Sequence, residues 1–458
     1  DEDNNLHFSQ AEALASIVES ENKQINIEKI YLDAYQQQIF SGGQRYPDVN
    51  DAINKRVERG ALIINYTGHG GEVGWAHERI LELSDINKWK NKNNMPVFVT
   101  ATCEFSRFDD PVRTSAGEYV LLNGNGGGVA LFTTTRLSFS NTNFNLNKSF
   151  YQQVFKKVNG EYLKMGDIIR LSKIANGSNA NIRNFILLGD PALNVALPRL
   201  KVVTTQVPDT IKALSNVTIN GYIEDEYSNK KTNFNGVINI NIFDKPSTVT
   251  TLGNDPTSYP ASFSIQKNII YKGKASVNNG DFSFSFIVPK DISYKFGNGR
   301  ISYYAEDNYT DAAGYYENFI IGGANLNAFG DNEGPEIKLY INDTLFKDGG
   351  ITDENPVLLA YIKDYSGINT VGNGIGHDIV AILDGNTEKS YILNDYYEAD
   401  IDTYKSGVIK FPFSNLTEGL HTIKLKVWDV YNNSSEAYIK FIVSSSSDII
   451  ITKIITYP

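Results

Sequence analysis

Three apolar, β-branched runs, ALIINYTG at 61–68, MPVFVTATC at 95–103 and GGVALFTTTR at 127–136, recur about thirty residues apart in the first half of the chain. Runs of this length without polar alternation read as strands buried on both faces, which is how strands of a parallel sheet covered by helices look. The segments between and before them fit that layout. QAEALASIVESE (10–21) carries apolar residues at helical spacing, IEKIYLDAY (27–35) reads as a short strand, and DVNDAINKRVERG (48–60) reads as an amphipathic helix ending on Gly60. Residues 77–94, HERILELSDINKWKNKNN, supply the pattern of a crossover helix between the first two buried strands. Residues 1–197 are therefore expected to form an α/β domain with a mostly parallel sheet.

From Pro198 the helical spacing gives way to alternation. NVTINGYI, GVININIF, ASVNNGDFSFSFIV and GRISYYAED are short strands parted by Gly, Asn and Asp turns, the pattern of an antiparallel β-sandwich over 198–330. A second sandwich is expected over 331–443, from GDNEGPEIKLYI through VLLAYIKD, DIVAILDG, GVIKFPF and HTIKLKVWDV to YIKFIV. Residues 444–458 open on four serines and read as a linker into a further C-terminal domain.

The formal net charge of −11 repels a phosphate backbone, so nucleic acid is not an expected partner. No run of the sequence reaches the roughly 20 apolar residues of a spanning helix. The richness in Asn, Tyr, Thr and Ser suits an exported, cell-surface protein.

Ligands of open α/β sheets bind beyond the carboxyl ends of the strands, and there the chain places its one cysteine, Cys103, and His69. A thiol becomes a nucleophile when a base or a positive field makes it a thiolate. His69 lies in TGHGG, where the glycines allow a tight backbone, and the N–H groups of Gly70 and Cys103 are the pair best placed for an oxyanion. A lone thiol at a strand end is more often a small buried hydrophobe; its pairing with a glycine-flanked histidine after an adjacent strand favours catalysis. His77 is a second candidate base, more suited to lining the pocket or the surface. His377 and His421 read as structural, and His7 belongs to the opening loop. Phe105, Arg107 and the TTTRLSFS segment (133–140) follow strand ends beside the thiol and are candidate pocket walls, with Arg136 there for a carboxylate or phosphate. No CxxC, HExxH or DxDxDG pattern exists, so no catalytic metal is expected. A structural calcium at the acid-rich DEDNN and FDDP segments stays open.

Four segments, NYTGHGGEVGWAHERIL, VTATCEFSRFDDP, GNGGGVALFTTTRLSFS and NFILLGDPALNVALP, resemble the gingipain-type cysteine peptidases, relatives of the caspases. DYSGINTVGNGIGHDI, YILNDYYEAD and LTEGLHTIKLKVWDVYNNSS resemble the β-rich part of the sortase-like members that serve the Bacteroidetes type IX secretion system. The resemblance implies a caspase-like fold, of which 1–197 would be the C-terminal portion of the full catalytic region, followed by Ig-like domains. It implies Cys103 as nucleophile, His69 as base, Gly70 in the oxyanion hole, and a histidine-orienting acid at or just before Asp1. The acid that gives arginine-specific members their pocket has no counterpart near His7 and Phe8. For the sortase-like members the resemblance implies cargo with C-terminal sorting domains as substrate, a lipopolysaccharide acceptor, an outer-membrane barrel partner, PorV, and a place at the cell surface, with no required cofactor. A secreted endopeptidase and a non-catalytic surface adhesin or assembly module are the alternatives.

Overall fold

The computed structural model describes residues 3–328, 330–371 and 376–444. The chain divides into two compact units, one of residues 1–197 with 247–265, the other of 198–246 with 266–458.

The first unit is built on a four-stranded sheet. The three apolar runs become β1 (Ile63–Thr67), β2 (Val97–Ala101) and β3 (Ala130–Thr134), and β4 (Phe185–Leu188) adds to the edge. The order is β4–β3–β2–β1, with β1, β2 and β3 parallel and β4 antiparallel. Every residue of β2 and β3 is buried because both faces are covered. Val97, Val99 and Phe132 point to one side, into a core with Leu14 and Val18 of α1 (Leu6–Glu21) and Leu146 and Phe150 of α4 (Ser140–Val154). Phe98 and Leu131 point to the other side, against Val49, Ile53 and Val57 of α2 (Pro47–Arg59) and Val120 of α3 (Ala116–Leu122). The alternation of successive side chains across the sheet thus decides which helix each residue meets.

Two local expectations fail for physical reasons. Residues 27–31 form no strand; Lys29 and Tyr31 spend their side chains on the Glu12 carboxylate at 2.9 and 2.6 Å, and only a short 3-10 turn forms at Leu32–Ala34. Residues 77–94 contain only the four-residue helix Leu83–Ile86. The β1–β2 connection is instead a small antiparallel sheet of Gly70–Gly71, Gly74–Trp75 and Leu81–Glu82. Gly74 adopts φ +152°, and a Cβ there would lie 1.9 Å from the Leu81 carbonyl oxygen. The left-handed Ala76 and Arg79 turn the chain between the last two of these strands.

The second unit holds two β-rich modules. In the first, seven strands (Leu200–Gln206, Asn216–Glu224, Gly236–Phe243, Ile269–Asn278, Asp281–Ile287, Arg300–Glu306 and Asp311–Tyr316) close into a barrel rather than an open two-sheet sandwich. Closure comes from the parallel pairing of Leu200 with Ala312 and Lys201 with Ala313. Small residues make it possible: a Cβ on Gly314 would lie 2.3 Å from the Val202 carbonyl oxygen. In the second module a four-stranded and a five-stranded sheet share one core that includes Leu358, Ile379, Leu425 and Phe441. The expected linker lies outside the described residues from Ser445 onward.

One segment crosses the expected boundary at 198. Between Phe243 and Ile269 the chain leaves the barrel as a hairpin of β5 (Ser247–Thr250) and β6 (Ser262–Ile265), which belongs to the first unit.

Candidate active site

β1 and β2 pair in parallel with Thr67 opposite Ala101. His69 and Cys103 each follow two residues later, so both leave the sheet at the same level from strands about 4.8 Å apart. Between them the two loops touch. A Cβ built on Gly70 would lie 2.7 Å from Thr102 Oγ1, 3.2 Å from Thr102 Cγ2 and 3.0 Å from the Gly74 carbonyl oxygen. Only glycine admits this approach.

The amide of Gly70 is turned outward by the local pairing. Ala76 N–H donates to the His69 carbonyl at 2.8 Å, which makes 69 and 76 a hydrogen-bonded pair of the small sheet. Gly70 and Trp75, the next pair, are therefore the non-bonded type, with the Gly70 N–H directed away from the partner strand. On the cysteine side, Thr102 O accepts from Thr134 Oγ1 and from Ser138 Oγ at 3.2 Å. In a trans peptide the N–H points opposite to its carbonyl, so the Cys103 amide faces away from these hydroxyls.

The thiol itself is held by Ser138. Ser138 N–H donates to Cys103 Sγ at 3.4 Å, and Sγ lies 3.5 Å from Ser138 O. Ser138 is fixed in turn, since Asn143 Nδ2 donates to its Oγ at 2.9 Å, Asn181 Nδ2 to Asn143 Oδ1 at 3.0 Å, and Phe139 N–H to Asn181 Oδ1 at 2.7 Å. Nothing in TTTRLSFS marks Ser138 as a thiol partner; only the β3 loop geometry does.

Glu104, next after the thiol, is left-handed at φ 49°, a conformation uncommon outside glycine. Its loop is pinned by Glu104 N–H to Arg136 O at 3.3 Å and Ser106 N–H to Thr134 O at 2.9 Å. The half-buried Glu72 carboxylate ties this loop to the histidine loop, accepting from Arg107 at 2.8 Å and Arg113 at 3.2 Å.

His69 Nε2 lies 2.8 Å from Asp3 Oδ2. Asp1 lies outside the described residues; the carboxylate that meets the imidazole is that of Asp3. The same Asp3 oxygen lies 3.2 Å from His7 Nε2. Burial, and then the neighbouring His69, holds His7 below the ordinary imidazole range. The His77 ring stacks parallel to His69 with centroids 5.5 Å apart, and His7 meets His69 edge-on at 5.1 Å. The His69 carbonyl accepts from Tyr66 Oη at 2.5 Å; burial raises this phenol, which keeps it a donor.

The pocket-wall candidates divide. Phe105 is fully buried against Trp75, with centroids 5.7 Å apart, so it supports the site from beneath and does not line a pocket. Arg136 grips Asp109 with both guanidinium arms, and this holds Asp109 below the usual carboxylate range. Beside them Leu137 and Phe139, on either side of Ser138, are 68% and 76% exposed, and Phe108 is 52% exposed. Leu137 and Phe139 belong to the TTTRLSFS segment that the sequence singles out, whereas Phe108 was not singled out.

His377 and His421 do structural work: Nδ1 of His377 meets Asp291 at 2.7 Å, and His421 is bonded by Asp384 at 2.7 Å and by Thr417 O at 2.6 Å. Asp3, His7 and His69 have ligand atoms within 4.8 Å of one another, as do Asp331, Asp364 and Asp429 in the second unit. Asp110 Oδ1 of the FDDP segment accepts Val112 N–H at 2.8 Å, and Asp109 is taken by Arg136. Among the described residues the oxygen-rich group is therefore Asp331–Asp364–Asp429. Asp364 Oδ1 accepts from the Ser366 and Gly367 amides, yet burial and the nearby Asp429 push it up to about 6.

Residues 1–196 match the family model of peptidase family C25. No curated protein matches the chain. Among solved structures, latent PorU from Porphyromonas gingivalis is similar at 30% identity over 71% of this chain and 32% of that one, with a TM-score of 0.35. The complex of the pro- and mature domains of Porphyromonas gingivalis RgpB is similar at 17% identity, over 58% of this chain and 57% of that one, with a TM-score of 0.31. The Arg-specific gingipain R is similar at 15% identity over 60% and 56%, with a TM-score of 0.30. The chain thus spans about a third of the PorU chain and somewhat over half of the other two.

Proposed function

We propose that the protein, whose residues 1–196 match the model of peptidase family C25, is a cysteine peptidase of the sortase-like kind, which cuts C-terminal sorting domains from exported cargo and passes the cargo to a surface lipopolysaccharide. The observation that carries the peptidase reading is the shared register of His69 and Cys103 at the rim of one parallel pair, with Asp3 behind the imidazole. The β-rich segments resembling the type IX secretion sortases support the sortase reading.

In this mechanism the Cys103 thiolate attacks the cargo carbonyl. The Gly70 and Cys103 amides take the oxyanion, and the tetrahedral centre collapses as the C–N bond breaks. His69, having taken the thiol's proton, gives it to the leaving amine, so a thioester remains on Cys103 and the sorting domain departs. An amine of the glycolipid then attacks the thioester carbonyl. His69 takes the amine's proton, the C–S bond breaks, and the thiolate returns. Water in place of the amine gives simple hydrolysis, the outcome for a secreted endopeptidase. The exposed Leu137, Phe139 and Phe108 beside the thiol favour the sortase branch, because apolar walls closed by cargo exclude water from the thioester.

The chemistry so written needs no cofactor. A structural calcium, if one is held, is best accommodated by the Asp331–Asp364–Asp429 group. PorV-type barrel partners and a cell-surface location belong to the same proposal. The test is incubation of cargo bearing its sorting domain with the protein and an amine acceptor. A cargo–acceptor conjugate is expected, and hydrolysed cargo alone would favour the endopeptidase; unchanged cargo with intact thiol would favour the inert adhesin.

A further inference from the structure

The hairpin β5–β6 reaches the segment that bears Asp3, and it does so through a side chain whose usual task lies elsewhere. Asn5 is the N-cap residue of α1, but its side chain makes no capping bond, although asparagine is among the best residues for that bond and the bond is worth about 1 kcal/mol. Instead Asn5 Nδ2 donates to the Tyr259 carbonyl at 2.7 Å and Asn5 Oδ1 accepts from the Tyr259 N–H at 3.1 Å. This two-bond clamp copies a strand pairing, and Asn5 is 3% exposed. Asn4 and Asn5 are both left-handed, at φ 55° and 60°, so the turn between Asp3 and α1 takes a conformation that needs holding.

The tip that holds it is itself rigidly braced. Asp33, 5% exposed, accepts from Gly253 N–H at 2.7 Å and Asn254 N–H at 2.8 Å, and its carbonyl accepts from Leu252 N–H at 2.7 Å. Gln37 Nε2 donates to Asp255 Oδ1 at 3.0 Å. Within the tip, Thr251 N–H donates to Ala261 O at 2.9 Å, and Ser258 Oγ accepts from Asp255 N–H at 2.9 Å. At its base Phe263 packs on Tyr31, with centroids 4.8 Å apart. Such bracing is more than a surface loop needs; it presents the Tyr259 backbone at one place.

We propose that the 247–265 hairpin is a working part of the active site, and that Asn5 is a positioning residue which sets Asp3 on His69. The inference rests on the reading of His69 and Cys103 as the catalytic pair. The peptidase unit then extends beyond the match to 1–196, and a fragment cut at residue 197 lacks the brace.

Asn5→Gly keeps the left-handed turn and removes both bonds to Tyr259. Positioning of this kind is worth roughly 10- to 100-fold, so kcat, and the rate at which iodoacetamide alkylates Cys103, should fall by about 10-fold or more, with KM within about twofold. Asn5→Asp, which still accepts from Tyr259 N–H, should fall between. Replacing residues 251–261 by Asn-Gly should match Asn5→Gly, and the two together should lose no more than either alone. The decisive arm is the cycle with Asp3→Asn: if Asn5 acts through Asp3, Asn5→Gly costs less than about twofold in that background. Unchanged rates in folded Asn5→Gly, or a loss that multiplies undiminished on Asp3→Asn, would overturn the inference. Cleavage that survives Cys103→Ala would overturn the catalytic pair instead, so the two failures are separable.

Discussion

Gly70→Ala puts the close approach of the two catalytic loops to the test. The added Cβ would sit 2.7 Å from Thr102 Oγ1, 3.2 Å from Thr102 Cγ2 and 3.0 Å from Gly74 O. Ordinary contacts for such atoms begin near 3.5 Å, so about 0.3 to 0.8 Å must be found. Thr102 is 1% exposed, and rotating it only exchanges one short contact for the other. The loop of Gly70 must therefore move away from Cys103 and take its amide with it. Overpacking of this kind costs about 1 to 3 kcal/mol of stability, while losing one oxyanion donor costs about 100- to 1,000-fold in kcat. The assay is steady-state cleavage of a sorting-domain cargo, with Tm measured beside it. KM should change little, because the oxyanion contact tightens only in the transition state. Thr102→Ala removes both short Thr102 contacts and should restore at least tenfold of the lost rate; Thr102 Oγ1 has no hydrogen-bond partner among the described residues, so its removal costs little. A folded Gly70→Ala protein with near-normal kcat, or a double variant no faster than the single, would refute the argument.

Two further perturbations follow from the same geometry. Glu72→Ala releases Arg107 and Arg113, which are exposed enough to be solvated. Stability should drop by about 1 kcal/mol or less, while kcat falls by more than tenfold as the loop after Cys103 loses its tie; an unchanged kcat would contradict this role. Asp364 titrates higher in the folded protein, near 6, than its ordinary 3.8, so the native state holds the extra proton between these values. Its ionisation lowers stability progressively as pH rises from about 4 to 6, by at most about 3 kcal/mol. With calcium chelated, Asp364→Asn should then raise the β-rich unit's Tm at pH 8 by several degrees and leave it nearly unchanged at pH 4, as read by scanning calorimetry. A lower Tm at pH 8 would reverse the sign of the argument.

The parts of the fold that rest on periodicity were legible in the sequence. β1, β2 and β3 stand where the three apolar runs predict them, and the placement of His69 and Cys103 follows from strand ends alone. Parts that depend on pairing partners were not. The 77–94 segment has helical spacing but forms only the last strand of a small sheet, Leu81–Glu82, and one helical turn, because the left-handed Ala76 and Arg79 fold the chain back onto Gly74–Trp75. Barrel closure depends on small residues at 312–314 facing Leu200–Val202, a contact more than a hundred residues distant. In the site, DED offers three neighbouring acids, and only the turn at Asn4 and Asn5 selects Asp3 for the imidazole. Ser138, Glu72 and the 247–265 hairpin carry no local signature, since each acts through backbone amides or cross-loop ion pairs.

The central claim is that one sulfur does the chemistry. Rapid mixing with cargo followed by intact-mass analysis and peptide mapping should find the cargo acyl group on Cys103 as a thioester, discharged by added amine. The Cys103→Ala protein should show no adduct and no cleavage, and His69→Ala should slow acylation by several orders of magnitude. Cargo cut at the wild-type rate by Cys103→Ala would contradict the account.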